Sequence, residues 1–161
     1  MIYRFYDTDI YGNEEYDIVG EEYENLLKTC CKYSSVLSLK FFNKNIPYYR
    51  ELEQYKIKSK THNIEIFKNI VKQEEVVYYK TSPELCELLL KITDGIFKWI
   101  DGWGFKNPED PCFYRDDGSA FFTSVIHEGV VKLTPRENED VSKIISNPLW
   151  IPETDDVRKS Y

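Results

Sequence analysis

Two histidines, four cysteines and seven glycines are scattered over 161 residues, and none falls into a spacing that signals a cofactor. No Gly-x-Gly-x-x-Gly and no phosphate loop is present; the nearest match, Gly102-Trp103-Gly104-Phe105, has the wrong spacing and no helix signal after it. Gly-x-Ser-x-Gly is missing too, which removes the strained turn that presents a hydrolase serine. There is no Cys-x-x-Cys. Cys30 and Cys31 are adjacent, an arrangement that rarely admits a disulfide, so these two, Cys86 and Cys112 read as reduced thiols of a cytoplasmic protein. A zinc helix needs His-Glu-x-x-His, and four residues after His127 stands Val131; His62 is isolated. The expectation is no metal and no cofactor. No apolar run approaches the ~18 residues of a membrane helix. Met1 to Ile10 lacks a basic region followed by an apolar core. A membrane partner and a signal peptide are therefore not expected.

Aromatic rings and unevenly placed charge are abundant. Thirteen Tyr, nine Phe and three Trp supply many rings that need a polar outlet. The net charge of −7 argues against a general nucleic-acid partner, which needs a basic footprint. Residues 36–72 carry a net +5, and the chain on either side is acidic. From Glu14 to Glu24 there are six acids (Glu14, Glu15, Asp17, Glu21, Glu22 and Glu24) and no base. Acids suit the start of a helix, but this density also suits a docking patch for a basic protein partner. Lys56, Lys58 and Lys60 raise a competing expectation, an anionic ligand.

The period of the apolar residues predicts α+β architecture: an antiparallel or mixed β-sheet with about three helices packed mainly on one face. Ile2 to Asp7 alternates as a strand. Tyr23, Leu26, Leu27 and Cys30 fall at helical spacing, and Ser35 to Phe42 alternates again. Residues 43–74 stay open between helix and strand. Glu75 to Lys80 is β-branched and aromatic, as strands are. Ser82, Pro83 and Glu84 open the clearest helix, with Leu85, Leu88, Leu89 and Ile92 as its buried stripe. Three short late strands follow, then a helix opened by Thr134, Pro135 and Glu137 as a capping box. No repeat or linker divides the chain, so residues 1–152 read as one domain and 153–161 as a loose tail.

The densest chemistry lies in residues 108–129, PEDPCFYRDDGSAFFTSVIHEG. Asp117-Gly118 marks a hairpin turn, with Arg115 before it and His127 and Glu128 at the far end of the returning strand. Arg115, His127 and Glu128 are the candidates for a polar site. Eight residues of strand, about 26 Å, separate Ser119 from His127, so the turn aspartates do not reach the imidazole within one hairpin. His127 as a general base in a small hydrolase-like enzyme needs a partner from elsewhere; its simpler role is to end a strand. Trp99 and Trp103, in a turn-rich segment, are candidates for partner contact or for capping the core.

This stretch resembles a pattern in small bacterial cytosolic proteins: a Pro-Glu-Asp start (Pro108 to Asp110), a Phe-Tyr-Arg strand (Phe113 to Arg115), an Asp-Gly turn and a strand ending in His-Glu. Those proteins are similar to the immunity proteins of polymorphic-toxin systems. The likeness spans roughly residues 99–150 and brings no catalytic residues with it. It implies a cytosolic, non-enzymatic protein that neutralises a basic toxin or another protein partner.

Overall fold

The computed structural model describes residues 1–42, 46–100 and 107–154, apart from the side chain of Ile66. The elements run β1 (Tyr3–Tyr6), α1 (Gly20–Tyr33), β2 (Val36–Phe41), α2 (Tyr49–Glu53), β3 (Lys56–Phe67), β4 (Ile70–Lys80), α3 (Pro83–Ile92), β5 (Glu109–Tyr114), β6 (Ala120–Val125), β7 (Val130–Leu133), α4 (Ser142–Ile145) and β8 (Ile151–Pro152). Single 3-10 turns occupy Ile96–Lys98 and Ile126–Glu128. The eight strands form one sheet in the order β3-β4-β2-β5-β6-β7-β1-β8, with every pairing antiparallel. This is the expected α+β class.

Helix α1 buries Tyr23, Leu26, Leu27 and Cys30, the residues its spacing predicts, and touches α3, α4 and β6. Beneath the helices lies a row of fully buried side chains: Leu37 and Leu39 on β2, Val77 and Tyr79 opposite them on β4, and Phe113 opposite Leu37 on β5. The alternate positions Lys40, Val76, Tyr78, Cys112 and Tyr114 are only partly buried. Two adjacent residues of one strand normally face opposite sides, yet Phe121 and Phe122 are both fully buried. The register explains this: Phe122 pairs with Phe113 and Ala120 with Tyr114, which leaves Phe121 as an extra, bulged residue. Its ring meets that of Tyr33 on α1.

The region left open between helix and strand holds, among its described residues, α2, β3 and the start of β4. Two expectations need correction. No helix begins at Thr134: α4 starts only at Ser142, whose N–H donates to the Asp140 carboxylate, and the Glu139 side chain before it is bonded to Arg115. The C-terminal tail is not loose at its first residue, since Glu153 pairs with Arg4 and donates its backbone N–H to Ile2. Residues 155–161 lie outside the described residues.

Candidate functional site

Arg115, His127 and Glu128 do not converge. Arg115 sits at the turn end of the β5–β6 hairpin and is 7 % exposed. Its Nε donates to Glu139 Oε2 at 2.9 Å and its Nη2 to Glu139 Oε1. Nη2 also donates to the Thr134 carbonyl (2.7 Å), and Nη1 to the Ala120 carbonyl (2.8 Å) and the Ser119 hydroxyl (3.2 Å). A guanidinium has five N–H donors, and five hydrogen bonds are made here, so none is left for a substrate. Arg115 ties the hairpin to the segment after β7. Asp117 has a turn's work as well: its carboxylate accepts from the Ser119 N–H at 2.9 Å, and it also pairs with Arg136.

His127 lies at the other end of the hairpin. There β5 carries one residue more than β2, between the Ser38–Cys112 and Lys40–Glu109 pairs, and Asp110 takes a left-handed backbone (φ 53°). The irregularity brings Glu109 and Asp110, both buried, to the exposed His127; one ligand-type atom from each lies within 4.8 Å of the others. Two carboxylates and an imidazole are a composition that binds divalent cations. Lys40 already serves Asp110 as a cation, with Nζ 3.2 Å from Oδ2, while Oδ1 accepts the Ile126 N–H at 2.7 Å. Burial acts to lower the Lys40 pKa, but the Asp110 carboxylate outweighs it and holds the ammonium above its ordinary value. The sequence pointed to His127 but not to its neighbours, because the bulge that brings Glu109 and Asp110 to it depends on pairing with β2.

Glu128 belongs to a third place, a cleft of about 550 Å³ on the β1–β8 side of the sheet. Its polar lining comes from Arg4, Asp7, Asp9, Glu128 and Glu153, and its apolar lining includes Ile10, Tyr16, Leu149 and Ile151. Gly129, which follows His-Glu in the motif, has a positional reason: at φ 67° a Cβ there would lie 2.1 Å from Asp7 Oδ1. Backbone bonds from Asp7 N to the Gly129 carbonyl and from Tyr16 N to the Asp7 carbonyl fold the 7–16 loop over this edge. Arg4 Nη2 donates to Glu153 Oε1 at 2.6 Å, whereas the buried atoms Arg4 Nε and Glu153 Oε2 have no partner among the described residues. Both belong to one ion pair, and closing the second arm of that fork would satisfy both. By themselves they do not point to a ligand. The Tyr16 hydroxyl donates to Glu14 at 2.9 Å, and that carboxylate raises its pKa. The cleft is thus continuous with the acidic segment.

Within that segment Glu14, Glu15, Glu21, Glu22 and Glu24 are exposed, as a docking patch requires. Glu22 accepts from Asn147 (2.9 Å) and Glu24 pairs with Lys28. Asp17 departs from the expectation. Its Oδ1 accepts the N–H groups of Ile18 (2.7 Å) and Phe97 (3.1 Å), and desolvation raises its pKa against the pull of those bonds. Asp17 staples the start of α1 to the 3-10 turn after α3. Trp99 is likewise not a surface anchor: it is fully buried, and its Nε1 donates to the Tyr23 hydroxyl at 2.8 Å, which also bonds Thr93. Tyr23 is itself buried by α1, so the indole finds its polar partner inside the core. Trp103 lies outside the described residues. Comparison with protein-family models, with curated proteins and with solved structures finds no match to this chain.

Proposed function

We propose that this is a non-enzymatic binding protein of the immunity type, which neutralises a basic toxin or another basic protein partner. The observation that carries the reading is the continuity of the acidic cleft with the exposed acidic segment. Eight acids and no base occupy residues 7–24, and Glu128 and Glu153 join them across the cleft. A lining of apolar side chains and carboxylates, only one of them paired with the single arginine there, suits a lysine or arginine side chain, whose methylene stem packs while its head pairs. Charge complementarity of this kind acts chiefly on the association rate. Reversal of Glu21, Glu22 and Glu24 to Lys is expected to slow association with a basic partner captured from the native lysate about tenfold or more, and to flatten its salt dependence. Binding kinetics measured at low and high salt check this; unchanged rates would remove the patch from the account.

A second reading, a small hydrolase-like enzyme, is favoured by one observation only, the gathering of Glu109 and Asp110 around His127. A carboxylate beside an imidazole orients it for general-base work. On this reading His127→Ala leaves the melting temperature unchanged and abolishes a turnover found by screening metabolites. If the substitution only lowers the melting temperature, His127 is structural.

A further inference from the structure

Half of the exposed large apolar side chains among the described residues lie together. Ile57, Ile64, Phe67, Ile70 and Val71 all lie on the β3–β4 hairpin, with Phe67 73 % and Val71 63 % exposed. Of the others, Ile10 and Ile151 line the acidic cleft, and the exposed Tyr11 follows Ile10 in its loop. These two groups stand at opposite edges of the same sheet, since β3 is its first strand and β8 its last.

The hairpin projects. Pairing of β2 with β4 ends at Phe41–Glu75, but β3 and β4 stay paired for five more register positions, from His62–Glu74 to Phe67–Ile70. That is about 20 Å of two-stranded ribbon with no third strand among the described residues. An isolated ribbon of this kind is marginal in water, and an apolar one at a sheet edge invites a partner. Its charge is opposite to that of the far edge. Residues 56–72 hold five lysines and one glutamate, whereas residues 7–24 are acidic throughout.

We infer that the basic, apolar β3–β4 ribbon of one copy docks on the acidic, apolar β1–β8 edge of a second copy of this chain. Each surface supplies what the other lacks: lysines meet carboxylates, and Phe67, Ile70 and Val71 meet Ile10, Tyr11 and Ile151. Because the two surfaces differ, the contact is head-to-tail and leaves one ribbon and one edge free unless the rotation closes a ring. The inference uses the same acidic edge as the function proposed above but does not depend on it, since self-association is measured without any other protein.

Sedimentation velocity of the full chain, from low to high micromolar concentration, tests it. The expected result is a mean sedimentation coefficient that rises with concentration at low salt and falls back at high salt. Lys60→Glu with Lys68→Glu is expected to abolish the rise, as is Glu14→Lys with Glu15→Lys. An equimolar mixture of the two variants regains it, because a reversed ribbon then faces a reversed edge. All four positions are exposed, and circular dichroism verifies that each variant is folded. A chain that stays monomeric at every concentration overturns the inference, as does association indifferent to either reversal. Binding of a monomeric chain to anionic vesicles or to duplex DNA through the same lysines also overturns it, and assigns the ribbon to a different anionic surface.

Discussion

Arg115 and Glu139 form an ion pair in which both side chains are at least nine-tenths buried. Two charges taken from water at this depth hold the fold only as a pair, and removal of one strands the other. Hydrogen bonding from Arg115 holds the Glu139 carboxyl below its ordinary pKa. As pH falls, the unfolded chain takes up the proton first. The contribution of the pair is therefore complete above about pH 4.3, the unfolded value for Glu, and is lost as the pH falls through the lower folded value. Glu139→Gln is expected to cost about 3 kcal/mol at neutral pH and much less at low pH, as urea unfolding at the two pH values would measure. At this scale the sequence was a partial guide. It marked Arg115, His127 and Glu128 as unusual, but a charged residue looks the same in a sequence whether its partner is a substrate or a carboxylate 24 positions later. Trp99 shows the same limit: a turn-rich neighbourhood suggested exposure, and its burial follows from a hydroxyl on α1, 76 residues away.

Elements were legible where the signals are local. Ser82 caps α3 by accepting the Leu85 N–H at 3.0 Å, with Pro83 in the first turn, as the sequence predicts. Ser82→Ala is expected to lower stability by about 1 kcal/mol, and a thermal melt would register it as a modest fall in melting temperature. Thr134-Pro135-Arg136-Glu137 carries a capping-box pattern and forms no helix; the segment turns toward α1 instead, where the Asp140 N–H donates to the Tyr33 hydroxyl. Residues 63–73 were ambiguous for another reason. Apolar residues lie on both faces of the ribbon, so neither a period of two nor one of 3.6 emerges. The usable signal was Lys68-Asn69: asparagine tolerates the left-handed conformation it adopts here (φ 67°), which closes a two-residue turn.

At the scale of the whole molecule, charge and topology act together. The formal charge of −7 hides a basic ribbon at one sheet edge and an acidic cleft at the other. On the proposed reading, long-range attraction would steer a basic partner to the acidic edge, and salt would screen it beyond about 8 Å at physiological strength. The slower, less salt-sensitive association expected for the Glu21, Glu22 and Glu24 reversal belongs to this scale, because those side chains act through their summed field. The β3 edge is long and basic, while β8 is two residues long and ends in Pro152, so the acidic edge offers little backbone for strand addition. Docking there has to be made by side chains.

Local signals were enough for the α+β class, the core stripe of α1, the N-cap of α3 and the separation of charge along the chain, and for two of the four residues expected in the α3 stripe, Leu85 and Leu89; Leu88 and Ile92 are only partly buried, and Cys86 is buried in addition. Each of these depends on residues within a few positions of one another, through helical or strand period, capping or composition. Strand pairing is what makes Arg115 part of a buried ion pair, brings His127 to Glu109 and Asp110, and puts Glu128 in a cleft with Arg4 and Glu153. These outcomes depend on strand order and on two bulges, where one extra residue changes which side chains share a face. Period and composition are blind to that choice, because it is made by pairing with strands distant in the chain.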